Sequence, residues 1–143
     1  MRFKGKLILS GACEGEAIVS NQPINWLSSY SINLALTWKK GKISDRQHEL
    51  FGQDLKDKIL FVPCAVGSTT GGLLLLEAIK AQFTPKAIVL KEADTLTVSG
   101  GILADIWLKN IQLPPILECS EIFSEIKTGD RVKINEDEIE IIK

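Results

Sequence analysis

Hydrophobic residues occur in short runs separated by glycine and proline, and these runs predict several strands. Residues 6–10 and 16–20 are apolar runs on either side of two glycines, which is typical of two strands around a turn. Residues 59–62 form a continuous apolar run that ends at Pro63, and residues 87–90 form another. Continuous runs of this length indicate strands that are buried on both faces of a sheet.

The segment between the two continuous runs has the period of a helix. Residues 73–83 place a set of apolar side chains on one helical face, namely Leu75, Leu76, Ile79 and Phe83. A strand, a helix and a second strand in this order predict a βαβ crossover and therefore a partly parallel sheet. The expected fold class is α/β.

Later runs extend the sheet. Residues 102–108 are apolar and follow a Ser-Gly-Gly turn at 99–101, which predicts a short buried helix. Residues 114–119 begin with two prolines and predict a further strand. Residues 131–135 and 139–142 alternate with period two, so the end of the chain is expected to be a hairpin.

Residues 21–55 show no sustained period of either kind. We predict a long excursion with one or two short strands, the first candidate being residues 34–38. Long loops in compact domains are often functional or bound by a partner. The aromatic residues Trp26, Tyr30 and Trp38 fit either an interface or ordinary packing.

Composition limits the class of protein. The chain has 143 residues, 45% hydrophobic and 24% charged, and a formal charge of −1. We expect one domain over residues 1–143 and no nucleic-acid partner, because no broad basic surface is available. No signal sequence or membrane span is expected, and the three cysteines lack the spacing of a disulfide framework or a zinc site. A soluble protein of the reducing cytoplasm fits best.

The richest candidate chemistry lies in residues 67–72, Gly-Ser-Thr-Thr-Gly-Gly, between a predicted strand and a predicted helix. Unpaired N–H groups and the helix dipole favour an anion at such a turn. Ser68, Thr69 and Thr70 add hydroxyls, although one of them could simply cap the helix. The segment lacks the GK[ST] ending of a P-loop, so nucleotide hydrolysis has no support.

The other candidates are single residues, and each has an ordinary alternative. His48, with Asp45 and Arg46 nearby, could take part in acid–base chemistry or could be a solvated surface residue. Cys64 could reach the same crevice as Ser68 or be an inert packed thiol. The two acidic residues that flank the second glycine turn could face that crevice or act as caps; they are Asp94 and Asp105.

These motifs together resemble swivelling β/β/α domains. One such group, the phosphohistidine carriers, has a histidine after its Gly-Gly turn, whereas Ile102 follows Gly101 here. A closer resemblance covers nearly the whole chain and is to the small subunit, or swivel domain, of aconitase-X-type hydro-lyases. It rests on motifs in the expected order, at residues 15–17, 41–48, 67–70, 85–88, 100–102, 114–115 and 128–130.

The resemblance implies a fold like the aconitase swivel domain and an active site shared with another chain. Ser68 is the implied proton acceptor, and Gly67, Thr69, Thr70 and His48 are assigned to substrate binding. A large partner subunit is implied to carry an iron–sulfur cluster, with no metal held by this chain. The implied assembly is a heterodimer, or a higher assembly, that acts on a small anionic hydroxy acid.

A separate small subunit resembles the archaeal arrangement, which implies dehydration of (R)-5-phosphomevalonate to an anhydromevalonate phosphate in isoprenoid synthesis. Two alternatives remain open: a cis-3-hydroxyproline dehydratase subunit, and a non-catalytic swivel module that binds a partner or a small anion. The chain departs from the family pattern, since Val66 stands where an arginine is usual and Glu49 where a proline usually follows the histidine.

Overall fold

One mixed β-sheet organises the molecule. The computed structural model describes residues 1–142, and their eight strands are β1 (Arg2–Lys4), β2 (Lys6–Leu9), β3 (Ala12–Val19), β4 (Lys58–Val62), β5 (Ala87–Leu90), β6 (Ile116–Glu118), β7 (Arg131–Asn135) and β8 (Glu138–Ile142). Their order across the sheet is β1-β8-β7-β3-β4-β5-β6-β2. Strands β3 to β6 run parallel, and β7 and β8 form the predicted hairpin.

Three helices connect the parallel strands: α1 (Trp26–Ala35) between β3 and β4, α2 (Thr70–Lys80) between β4 and β5, and α3 (Thr95–Trp107) between β5 and β6. Helix α2 packs against both α1 and α3. The predicted α/β class, the βαβ crossover and the partly parallel sheet are confirmed. None of the helices within residues 1–142 is long and apolar enough to cross a membrane.

The sheet curls until its two ends meet. Strands β1 and β2 stand at opposite ends of the strand order, yet only Gly5 separates them in the chain. Two Cα–Cα steps of about 3.8 Å are all that this link can span. The Gly5 N–H donates to the Asp137 carbonyl at 2.7 Å, and a Cβ at Gly5 would lie 3.1 Å from the Glu118 carbonyl oxygen. Gly5 is therefore the point at which the two ends of the sheet come together.

The two faces of the curled sheet bury separate cores, and β4 and β5 contribute to both because neighbouring residues of a strand face opposite sides. Leu60, Val62, Ile88 and Leu90 pack toward the helices, with Trp26, Tyr30, Leu75 and Ile79. The other face buries Ile59, Phe61, Ala87 and Val89 against the hairpin, with Val132, Ile134, Ile139 and Ile141. Burial on both faces explains the continuous apolar runs in the sequence.

The prediction of a strand at residues 34–38 is wrong, because Trp26–Ala35 is helix α1. Its buried face has helical spacing but mixed chemistry, with Trp26, Ser29, Tyr30 and Asn33. The Asn33 amide donates to the carbonyls of Lys40 and Lys42 at 2.6 and 2.7 Å. Two polar residues on this face conceal the hydrophobic period of the helix.

The prediction of a short buried helix at residues 102–108 is confirmed as to the helix but wrong as to its start and its burial. Helix α3 begins seven residues earlier, at Thr95, and contains Gly100 and Gly101 within it. Its buried positions are small residues, whereas Ile106 and Trp107 are 55% and 61% exposed. Close approach to α2 explains the burial of small residues, since a Cβ at Gly100 would lie 2.8 Å from the carbonyl oxygen of Gly72.

Candidate functional site

The candidate site lies at the carboxyl ends of the parallel strands, where open α/β sheets bind their ligands. The chain leaves β4 at Val62 and enters α2 at Thr70, and the loop between them carries Ser68. The starts of α1 and α3 follow β3 and β5 at the same edge. Three helix N-termini therefore surround this loop.

Gly67 shapes the turn that presents Ser68. Its φ of +122° is in a region that favours glycine, and a Cβ there would lie 3.1 Å from Nδ2 of Asn25, the N-cap residue of α1. Ser68, Thr69 and Thr70 are all exposed. The turn therefore presents a row of hydroxyls to solvent.

The first turn of α2 keeps free N–H donors. The Ser68 carbonyl accepts from the Gly71 N–H at 2.9 Å, which closes the turn. Thr69 occupies the N-cap position but its hydroxyl makes no capping hydrogen bond. Within residues 1–142, the N–H groups of Ser68, Thr69 and Thr70 have no acceptor. An anion at this turn would find donors and the positive end of the helix dipole together.

The predicted view of His48 as a solvated surface residue is wrong, because His48 is 4% exposed. Its Nδ1 accepts from the Leu50 N–H at 3.0 Å, so the proton of the neutral ring lies on Nε2, which is 3.2 Å from the Gln22 carbonyl oxygen. Nε2 thus joins residues 48–50 to the loop after β3, while Nδ1 closes a turn within residues 48–50. The predicted role of His48 in substrate binding stays a prediction.

Two further hydrogen bonds fix residues 44–50, one from the loop after β3 and one from helix α1. The Ser20 hydroxyl bonds the Glu49 carboxylate, and the Ser28 hydroxyl donates to Asp45 Oδ2 at 2.9 Å. Asp45 is therefore a local anchor, while the neighbouring Arg46 is exposed. These contacts fold residues 44–50, in the segment predicted as an irregular excursion, against the start of α1.

Asp94 does more than the sequence predicts for it. It is the N-cap of α3, with Oδ1 accepting from the Thr97 N–H at 2.7 Å, so the alternative reading as a cap is confirmed. Its Oδ2 also accepts from the Ala65 N–H at 2.8 Å and the Thr97 hydroxyl at 3.0 Å. Asp105 lies on the exposed side of the last turns of α3. No spacing rule in the sequence connects Asp94 with Ala65.

The cysteines do not form a metal site among residues 1–142, where no three His, Cys, Asp or Glu side chains come together. Burial, followed by the charges of Asp94 and Glu92, raises the pKa of the Cys64 thiol. Iron–sulfur clusters are held by several cysteine thiolates that lie close together, and residues 1–142 contain no such group. The cysteines Cys13 and Cys119 also have raised pKa values, with burial as the largest cause. The residues present therefore do not fit an iron–sulfur cluster.

Two hollows open at opposite ends of the parallel strands. One, of about 380 Å³, lies at the carboxyl ends, where Ser68 also lies, and is lined by Pro63, Cys64, Lys91, Glu92, Glu118 and Ser120. The other, of about 390 Å³, lies at the amino ends, between Cys13 and Pro114. Ser68 lines neither hollow. The Ser68 turn is thus an exposed surface rather than a closed pocket.

Comparison with known proteins gives the family. The model of the aconitase X swivel domain matches residues 2–142. The chain belongs to the aconitase X swivel family. This swivel chain is 33% identical over 141 residues to the phosphomevalonate dehydratase small subunit of Thermococcus gammatolerans, a match that covers 99% of this chain and 96% of that protein. The same-named subunit of Pyrococcus horikoshii is 35% identical over 144 residues, covering 99% and 96%.

A solved structure agrees with this assignment. The swivel chain matches the crystal structure of Thermococcus kodakaraensis aconitase X in its holo-form with a TM-score of 0.82 and 30% identity, covering 100% of this chain and 99% of that chain. The resemblance predicted from the motifs is therefore confirmed, as is the swivel fold. Its relatives are subunits of a hydro-lyase by name.

Proposed function

We propose that this aconitase X swivel chain is the small subunit of a phosphomevalonate dehydratase and that Ser68 accepts the proton removed from the substrate. The observation that carries the role of Ser68 is its place: an exposed hydroxyl on the tight turn between a central parallel strand and the N-terminus of α2. The names of the full-length relatives support the choice of substrate.

The reaction explains what a serine at this turn would have to do. Dehydration breaks a C–H bond beside a carboxylate and a C–O bond on the next carbon; the C–H electron pair becomes the new double bond, and the hydroxyl leaves as water after gaining a proton. A serine oxygen takes the proton only if its alkoxide form is stabilised. The dipole and free N–H groups of α2 supply part of that stabilisation.

The remaining positive charge is assigned to a partner. No lysine or arginine in residues 1–142 is hydrogen-bonded to Ser68, and the side chain two residues before it is Val66. We assign the missing cation and the iron–sulfur cluster to a large subunit, because the residues of this chain do not fit a cluster. Exposed Ile106 and Trp107 support the existence of a partner, since large exposed apolar side chains are typical of interfaces.

Gly67, Thr69 and Thr70 are proposed to bind the anionic end of the substrate through their N–H groups and hydroxyls. His48 is proposed to contribute to substrate binding as well, and its hydrogen bond to the Gln22 carbonyl supports the loops beside the turn. The same proposal places the assembly in the reducing cytoplasm, which the three free cysteines support.

Co-expression with the large subunit from the same source provides the test. The complex is expected to dehydrate 5-phosphomevalonate, with cis-3-hydroxyproline as the comparison substrate. Ser68→Ala should lower kcat by about 100-fold or more, because general acid–base groups contribute about 10²–10⁴-fold. The matched control is Ser99→Ala, which removes an exposed serine hydroxyl from α3 and should leave kcat unchanged.

Each other result selects a different function. Activity only on cis-3-hydroxyproline would identify the alternative substrate. A Ser68→Ala complex with full activity would contradict the proton-acceptor role. A complex that binds its partner but dehydrates neither substrate would favour the non-catalytic swivel module, an alternative supported by Val66 at the position where the family usually has arginine.

A further inference from the structure

The turn that carries Ser68 is held by a chain of contacts that begins on another helix. Three contacts fix the residues just before Ser68: the Ile24 N–H donates to the Cys64 carbonyl at 3.0 Å, the Val66 N–H donates to the Ile24 carbonyl at 2.9 Å, and the Ala65 N–H donates to Asp94 Oδ2 at 2.8 Å. The last of these is the one contact made by a side chain.

Asp94 itself is held firmly. The Thr97 N–H donates to its Oδ1 at 2.7 Å and the Thr97 hydroxyl donates to its Oδ2 at 3.0 Å. The Thr97 hydroxyl in turn accepts from the buried Trp26 Nε1 at 3.0 Å. Thr97 and Trp26 are both fully buried. Hydrogen bonds to a charged acceptor are stronger than neutral ones, so this carboxylate is a fixed point between α1, α3 and the loop.

We propose that Asp94 is a positioning residue for the Ser68 turn, which acts by holding the Ala65 N–H. The inference rests on the proposed function of Ser68 for its effect on the reaction, but the contact itself does not. The Asp94 carboxylate accepts from the Thr97 N–H, the capping bond of α3, on Oδ1 and from the Ala65 N–H of the loop on Oδ2. Replacement by a side chain with a single acceptor keeps only one of these contacts.

Asp94→Ser is the decisive variant. Serine is as good an N-cap as aspartate, so α3 keeps its cap, but it has no second oxygen to accept from Ala65. In the complex with the large subunit, kcat should fall about 10- to 100-fold with little change in KM, because displacement of a reacting group by about 1 Å can cost about 100-fold. Asp94→Asn should lower kcat in the same way if its amide oxygen keeps the capping bond with the Thr97 N–H.

Thr97→Val is the matched control. It is close in shape and removes the hydroxyl that bonds both Trp26 Nε1 and Asp94 Oδ2, while the backbone N–H of residue 97 still donates to Asp94 Oδ1 and Asp94 Oδ2 still accepts from the Ala65 N–H. It should lower the thermal midpoint but lower kcat clearly less than Asp94→Ser does. If it lowers kcat as much as Asp94→Ser does, then general destabilisation explains both variants and the inference is wrong.

Hydrogen exchange of the full chain separates this inference from the proposed function. The Ala65 amide should exchange at least about 10-fold faster in Asp94→Ser than in the wild type, because loss of its acceptor exposes the amide to local opening. Unchanged exchange and unchanged kcat in Asp94→Ser, together with an inactive Ser68→Ala, would overturn the positioning role alone. Faster exchange together with a fully active Ser68→Ala would keep the contact and contradict the role of Ser68.

Discussion

Two glycine-rich segments of similar composition take up different structures in this fold. Residues 67–72 turn outward at Gly67, expose Ser68 and enter α2 at Thr70, whereas residues 99–101 lie wholly inside α3. The two segments also touch, because a Cβ at Gly72 would lie 2.7 Å from the Ser99 hydroxyl oxygen. One segment presents a candidate reactive group, and the other allows α3 to lie close to the helix that carries it.

The difference comes from the neighbouring residues. Gly67 follows a buried strand and has a positive φ, so the chain must turn there. Gly100 has ordinary helical geometry, and the absence of a side chain there lets α3 lie close to α2. Glycine therefore serves backbone conformation at residue 67 and interhelical distance at residue 100. Substitutions at residues 67 and 100 should therefore destabilise the protein for different reasons.

The largest effect is expected for Gly67→Ala. Its φ of +122° is unfavourable for alanine, so the free energy of unfolding should fall by about 2–3 kcal/mol, and activity should fall because Ser68 moves. Chemical denaturation and steady-state assay of the complex measure the two effects. Gly129→Ala is the control: its φ is +99° with no atom within 4 Å of the added Cβ, so it should cost stability but not activity. Equal loss of activity in both variants would contradict a local effect on Ser68.

Gly100→Ala should cost about 2 kcal/mol. The new Cβ would lie 2.8 Å from the Gly72 carbonyl oxygen and 3.1 Å from Leu75, and overpacking of about 3 kcal/mol outweighs a gain of about 1 kcal/mol in helix propensity. Urea denaturation measures the change. Stabilisation by the alanine would show that α2 and α3 separate freely, and the comparison between the segments would then lose its basis.

Gly72→Ala measures the contact between the two segments. Its Cβ would lie 2.7 Å from the Ser99 hydroxyl oxygen, so removing that oxygen in Ser99→Ala should relieve the strain. A double-mutant cycle is expected to give a favourable coupling of about 0.5–1 kcal/mol. Additive effects would mean that the serine turns away at no cost.

Val66→Arg should have the smallest effect on stability. Val66 is 46% exposed, and surface substitutions usually change the free energy of unfolding by less than about 0.5 kcal/mol. The arginine restores the residue that is usual in the family, and its pairing with a phosphate should lower KM for 5-phosphomevalonate. An unchanged KM would place the phosphate away from this loop.

Strong local periods in the sequence predicted most of the sheet. The sequence predicts strands β4 and β5 because both of their faces are buried, and it predicts the closing hairpin because one face is. The sequence does not predict helix α1, because Ser29 and Asn33 occupy its buried face. It predicts only the second half of helix α3, because glycines, which ordinarily end helices, are packing positions of this helix.

The candidate site likewise has a part that the sequence predicts and a part that it does not. The position of Ser68 at an exposed strand–helix turn follows from neighbouring residues in the chain, so the sequence predicts it. The partner of Ala65 is 29 residues away on another helix, and the buried environment of His48 depends on a loop 26 residues before it. Contacts of this kind arise only when distant segments pack, and a single sequence carries no signal of them.

The curled sheet also constrains the order of folding. Strand β1 pairs with β8, and β2 pairs with β6, so the first ten residues find their partners more than 100 residues later. Contacts with such large sequence separation form slowly because long loops must close first. During synthesis, the parallel strands β3 to β6 can pair with one another before β1 and β2 join the sheet. Strand β1 can join the sheet only after β8 has been synthesised, and β8 follows every other strand of the sheet in the chain.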